Sequence, residues 1–149
     1  MRRASWSEVE CPIARALDVV GDPWTLLVVR DAQFGIRRFE DFQRSSGIPR
    51  ATLVDRLDRL VDHGVLERCR YQDHPPRDEY RLTDRGRDLR DVLVVLKQWG
   101  DRWGGLPSSP IRLERTDTGE EVDPVLADRR SGRFLDDLPV RAVRRDEPE

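Results

Sequence analysis

Apolar residues recur along the first hundred positions at helical spacing, and each recurrence ends on a glycine or a proline. In Pro12 to Val20, Ile13, Ala16, Leu17 and Val20 fall on one face and Gly21 follows as a stop. Asp22 and Pro23 restart the chain as N-cap and first helical residue. In the helix they open, Trp24, Leu27, Val28 and Ala32 form the buried stripe. Leu26 and Val29 widen that stripe, which predicts a central core helix. Gly35 to Phe39 is a connection, and Phe39 and Phe42 anchor a short third helix. Gly47 permits a turn, with Ile48 as its buried plug. A fourth helix runs from Pro49 to about His63 on Leu53, Leu57, Leu60 and Val61, and Gly64 ends it. Its other face presents Arg50, Thr52, Asp55, Arg56 and Arg59 to solvent or to a ligand, with Asp55 spaced to pair with Arg59.

The pattern then changes period. Val65 to Tyr71 and Glu79 to Leu82 read as strands. Asp73 to Arg77 form the tip between them, outside the sheet because a Pro-Pro pair cannot donate to a ladder. Thr83 caps a long helix carrying Leu89, Val92, Leu93, Leu96 and Trp99, which can continue through Trp103 to a Gly-Gly stop. Leu106 to Pro110 is a linker. Beyond it, short apolar alternations around Thr118-Gly119 and Ser131-Gly132 predict a small β-meander or a partly disordered tail, without a fixed-period repeat. Meanders of this size are marginal alone, so the tail is expected to dock on the helical core. The expected fold is mainly α with a small β wing: a winged helix-turn-helix over residues 1–106, with a short β-rich extension over 107–149.

Composition narrows this. Hydrophobic residues make up 37% and charged residues 38%, so the core is small and the surface ionic. A thin core of this kind often grows by dimerisation. No run of about 18 apolar residues suggests a membrane span, and the N-terminus lacks the apolar segment of a secretory signal, which favours a cytoplasmic protein. Every basic residue except Lys97 is arginine, a planar donor suited to phosphate and guanine. The net charge of −2 argues weakly against nucleic acid, but its distribution is uneven. Residues 37–90 carry 13 basic and 11 acidic side chains, whereas residues 107–149 carry 8 and 11. Acidity sits in the tail, and the helix-turn-helix region is mildly basic.

Residues 11 to 100 resemble the HxlR-type winged helix transcriptional regulators. The resemblance rests on Cys11-Pro12, Ala16-Leu17-Asp18, Gly21, Trp24, Gly35 and Arg38-Phe39. It continues through Leu53, Arg56-Leu57, Leu60, Gly64, Val65-Leu66, Arg68, Tyr71 and Pro75-Pro76, then Glu79-Tyr80, Leu82-Thr83 and Gly86. It implies a homodimer on an inverted-repeat operator, with the Pro49–His63 helix in the major groove and the Asp73–Arg77 wing on the backbone or minor groove. It also implies dimer contacts from Trp6 to Leu17 and from Leu89 to Trp103. Two departures stand out. Pro49 replaces the polar cap often found before the recognition helix. Where longer relatives carry a zinc knuckle of cysteines, this chain has Thr118-Gly119 and Asp128 to Gly132, so no metal is expected.

The candidate DNA contacts are Pro49, Arg50, Thr52 and Arg56 on the fourth helix, and Arg37, Arg38, His74 and Arg77 for phosphate or the minor groove. A solvated, ion-paired helix face is the plain alternative for the first group, and a core ion pair for Arg38. Cys11, at a helix N-terminus with Arg15 one turn on, is either a half-buried structural thiol or a redox sensor, as equivalent cysteines are in some relatives. Cys69 reads as a plain strand residue. Trp6, Leu93, Leu96, Trp99 and Trp103 supply a dimer surface or the lining of a ligand pocket. Neither His63 nor His74 stands beside a nucleophile, and no phosphate loop is present, which argues against an enzyme, and no cofactor is expected. Two functions remain. One is a dimeric regulator of double-stranded DNA, responsive to an oxidant or small effector. The other is a ligand- or partner-binding sensor module with weak or lost DNA binding.

Overall fold

Asp22 shows how closely local chemistry sets the architecture of this computed structural model, which describes residue 6 and residues 8–143. Helix α1 (Pro12–Val20) ends at Gly21, whose φ of −78° is not left-handed. The expectation that glycine geometry stops the helix is corrected: the break comes from the next cap. Asp22 Oδ1 accepts from the N–H groups of Trp24 and Thr25 and opens α2 (Pro23–Gln33). Helices α3 (Phe39–Ser46) and α4 (Arg50–Asp62) follow, separated by Gly47 at φ +67°. Strands β1 (Leu66–Asp73) and β2 (Pro76–Leu82) pair antiparallel, and α5 (Asp84–Trp103) ends before Gly104.

The core joins Val28, Val29 and Ala32 of α2 with Phe42, Ile48 and the α4 stripe Leu53, Leu57 and Leu60. Val65, Leu66 and Tyr80 close it from the wing side, with the Phe42 and Tyr80 rings edge to face at 6.4 Å. The stripe on α2 is rotated from its expected position. Thr25, Val28, Val29 and Ala32 are buried, while Trp24 and Leu27 are half-buried. Asp31 is buried in the same helix and pairs with Arg30 at 2.7 Å.

The wing is longer than its prolines suggested. Gln72 lies opposite Arg77 and Asp73 opposite Pro76, so the tip is only His74 and Pro75, and a bulge falls at Tyr71. Pro76 is tolerated because it is the first residue of an edge strand, where no ladder donor is needed. Arg37 O accepts from Tyr80 N at 2.7 Å, which runs the α2–α3 connection beside β2. Thr83 Oγ1 donates to Gly64 O at 2.6 Å and accepts from Gly86 N, fixing the start of α5 beneath the α4–β1 loop. Leu89 and Leu93 pack on the core, but Val92, Leu96, Trp99 and Trp103 are exposed, as are Ile13 and Leu17 of α1.

The chain divides into two compact units, with the boundary between Trp103 and Gly104. The second unit contains a repeat that the sequence pattern missed. Around Arg115, Arg115 N donates to Glu120 O (2.8 Å), Gly119 N to Arg115 O (2.9 Å) and Val122 N to Leu113 O (2.9 Å). With an offset of 13 residues, Asp128 N donates to Arg133 O (2.9 Å), Gly132 N to Asp128 O (2.8 Å) and Leu135 N to Leu126 O (2.9 Å). Matching bridges pair Glu114 with Glu121 and Ala127 with Phe134. Leu113 matches Leu126 and Gly119 matches Gly132, but most other side chains differ. The repeat is one of backbone turns, which is why it left almost no sequence signal.

Candidate nucleic-acid interface

Helix α4 starts without a side-chain cap. Pro49 is its N-cap residue, one position before the first-residue role expected of it, and Pro49 O accepts from Leu53 N at 2.9 Å. The first turn exposes Arg50, Ala51 and Val54, with Thr52 half-buried beside them. Ala51 and Val54 were absent from the sequence-based set. Their positions off the Leu53–Leu57 stripe were the available signal, and an apolar contact of this kind suits a thymine methyl.

Arg50 is tied to the wing by a chain of stacked groups. Its guanidinium lies over the Phe39 ring, 4.7 Å from the centroid. The adjacent Arg38 lies over the Tyr71 ring at 4.7 Å, at the bulge of β1. This corrects one reading of Arg38, since its cation rests on an aromatic face and not on a core carboxylate. Stacking of this type contributes about 0.5–1 kcal/mol at exposed sites. Such stacking uses the flat face of a guanidinium and does not consume its in-plane N–H donors. Arg37 and Arg77 are exposed, and their side chains form no ion pair or hydrogen bond among the described residues. At the tip, Gln72 Nε2 donates to the carbonyls of His74 (3.3 Å) and Pro75 (3.1 Å). His74 itself is exposed.

Arg56 is the clearest departure from expectation. Its guanidinium forms ion pairs with Asp22 at the α2 cap and with Asp55, and it is half-buried. The exposed-face reading of Arg56 is therefore corrected: its charge is spent on holding α4 to the α1–α2 turn. Arg59 does not pair with Asp55 but donates from Nη2 to Asp18 O at 3.2 Å, a second tie from α4 to the end of α1. Arg68 of β1 pairs with Asp58 at 2.5 Å and lies over Tyr80. The Tyr80 hydroxyl and Asp58 hold the Arg68 cation above its ordinary pKa, and burial raises that of Tyr80.

The other candidates lie elsewhere. Cys11 is the N-cap residue of α1, half-buried, and makes no side-chain cap bond. Cys69 is half-buried opposite Glu79 in the wing. Trp6, Leu96, Trp99 and Trp103 are exposed, and Leu93 is half-buried. Among the described residues no three His, Cys, Asp or Glu side chains gather as a metal set, and no helix is long and apolar enough to cross a membrane.

Known proteins resemble this chain in sequence and in fold. An uncharacterised HTH-type transcriptional regulator of Mycobacterium tuberculosis (strain H37Rv) is 50% identical over 115 residues, covering 76% of this chain and 73% of the relative. YdeP, an uncharacterised HTH-type transcriptional regulator of Bacillus subtilis, is 33% identical over 94 residues, covering 62% and 73%. The crystal structure of PA1607, a proposed transcription factor, superposes with a TM-score of 0.83 at 39% identity and covers 95% of this chain and 99% of that one. The redox regulator HypR in its reduced form gives 0.60 at 31% identity, covering 64% and 95%. A profile of HxlR-like helix-turn-helix proteins matches residues 19–107. With the winged helix, the exposed α4 start and these matches together, the chain belongs to the HxlR-like helix-turn-helix family of transcriptional regulators.

Proposed function

We propose that the chain is a homodimer that binds an inverted-repeat operator in double-stranded DNA, with the start of α4 in the major groove and the wing on the flanking backbone or minor groove. The observation that carries this reading is the Tyr71–Arg38–Phe39–Arg50 relay, which joins the wing to the first turn of α4. Arg50 and Thr52 then read base edges, assisted by Ala51 and Val54, while Arg37, Arg38, His74 and Arg77 meet phosphates and the minor groove. Pro49 sets the start of that turn. Arg56 acts in this scheme by holding the helix at its angle.

Dimerisation is supported by the apolar surface that the unit leaves uncovered. Trp99 and Trp103 are each 64% exposed, and Ile13 is 70% exposed. Leu17, Val92, Leu96 and Trp6 add to it, and Leu93 lies beneath. Apolar patches of that kind mark interaction sites in proteins that stay in solution. A regulator built this way acts where the DNA is, in the cytoplasm, and carries no catalytic role. Cys11, the half-buried N-cap residue of α1, is the candidate oxidant sensor. That reading draws support from HypR, whose structures are those of a redox regulator.

The test is a mobility shift on the chain's own upstream DNA across a salt series, with and without an oxidant. The expected result is competitor-resistant binding with a steep salt dependence. Arg50→Ala is expected to lower affinity by about 1–3 kcal/mol and relax base preference, and Cys11→Ser to abolish any response to oxidant. Absence of binding at low salt would replace the reading with a sensor module that has lost DNA, a direction in which exposed Asp55, Asp58 and Asp62 on α4 already point.

A further inference from the structure

The two repeated turns of the second unit share a backbone pattern and carry opposite charge. Residues 113–122 hold one basic and four acidic side chains, whereas residues 126–135 hold three basic and one acidic. Local pairing sharpens the contrast. In the first turn Arg115 is spent on Asp117 at 2.7 Å, and Glu114 pairs with Arg112 at 3.2 Å. Glu120 and Glu121 are exposed and form no ion pair among the described residues. In the second turn Asp128 is used internally, accepting from the Ser131 hydroxyl and from the N–H groups of Arg130 and Ser131. Arg129 and Arg130 are exposed, and their side chains form no hydrogen bond or ion pair among the described residues. Two open carboxylates therefore stand on one turn and two open guanidiniums on its counterpart. Apolar side chains stay in water beside them: Leu126 and Phe134 are 55% and 54% exposed. Hairpins of this size are marginal while such residues remain wet.

A two-fold partner needs a self-complementary patch, in which residue i meets j and j meets i. A repeat whose copies differ in sign supplies one, because a second chain presents the missing charge on a turn of the same build. We propose that the second units of two copies of this chain dock on one another, Glu120 and Glu121 of each copy against Arg129 and Arg130 of the other, with Leu126 and Phe134 covered between them. The opposite charges set the register, since like turns brought together repel. Exposed ion pairs contribute little each, so the covered apolar side chains supply most of the affinity. The contact involves neither α1 nor α5 and does not depend on DNA binding.

The test uses two forms of the full chain. One has both turns acidic (Arg129→Glu, Arg130→Glu), and the other has both turns basic (Glu120→Arg, Glu121→Arg). Amide exchange across residues 113–135 is followed by mass spectrometry in the absence of DNA. Each form alone is expected to exchange there at least about tenfold faster than the wild type, because like charges then oppose one another. One chain carrying all four substitutions should regain wild-type protection. The acidic and basic forms, co-expressed under different tags and purified through both, should regain it too. That last arm separates pairing between copies from pairing within one chain. Protection regained by the four-substitution chain and not by the mixed pair would overturn the proposal, since the turns would then meet within a single chain. Unchanged exchange in both single-sign forms, or failure to recover a mixed pair, would overturn it as well. A mixed pair that forms but stays unprotected would remove this contact and leave the homodimer proposed above standing.

Discussion

Up to Trp103 the chain closes around side chains: Phe42, Leu53, Leu57 and Val28 are wholly removed from water, and α2 to α5 and the wing pack against them. Beyond Gly104 no described residue is buried, and order comes from two copies of one hydrogen-bonded turn with glycine at φ +72° and +70°. In the first unit a contact is held by the solvent-driven burial of many atoms and is global. In the second it is held by a few local backbone bonds, so damage should stay near its site. The residues proposed to meet DNA sit on the first kind of structure, where α4 is held by its buried Leu53, Leu57 and Leu60.

The largest effect is expected from Leu57→Ala. Emptying this position should cost about 2–5 kcal/mol and lower the melting temperature of the first unit, while amide protection at Asp128 and Gly132 persists. Next is Gly86→Ala. A Cβ there would lie 2.2 Å from Val65 O and 2.8 Å from Leu82 Cδ2, so the start of α5 must move off the wing at about 1–3 kcal/mol. Chemical denaturation should register it as a shift in midpoint. In the second unit, Gly132→Ala should cost about 1–2 kcal/mol because φ is +70°. Its signature is faster amide exchange confined to residues 126–135, with the main melting transition unmoved. A transition that moved with it would show the two units folding as one.

The smallest effect is one of pH. Asp128 is held below its ordinary value of 3.8 by the Ser131 hydroxyl and by the N–H groups of Arg130 and Ser131. A carboxylate whose folded pKa is lowered stabilises the fold above its ordinary value and loses that contribution as pH falls through the lowered one. Protection at Ser131 should therefore survive to pH 3.8 and fade only below it, and Asp117, held down by Arg115, should follow the same course. Loss of protection near pH 6 would contradict the assignment.

What could be read from the sequence follows the same division. The α4 stripe, the Asp22 cap and the Thr83 cap announce themselves through periodicity and local chemistry, and the structure has all three. Arg56 was illegible because its partner, Asp22, is far away in sequence, and only tertiary packing turns the side chain inward. Ala51 and Val54 carry no charge to attract attention, yet they share the exposed first turns with Arg50. The ladder reaching Pro76 was hidden by a rule that holds for strand interiors and not for edges. The 13-residue repeat keeps little more than a leucine and a glycine in common, since backbone bonds need no particular side chain.

Hydrogen exchange on the full chain, with and without its operator, distinguishes which unit meets DNA. Recognition through the first unit predicts new protection at residues 49–56 and 70–78, together with 37–39, and none across 113–135. Protection concentrated in 113–135, with α4 and the wing unchanged, would contradict it.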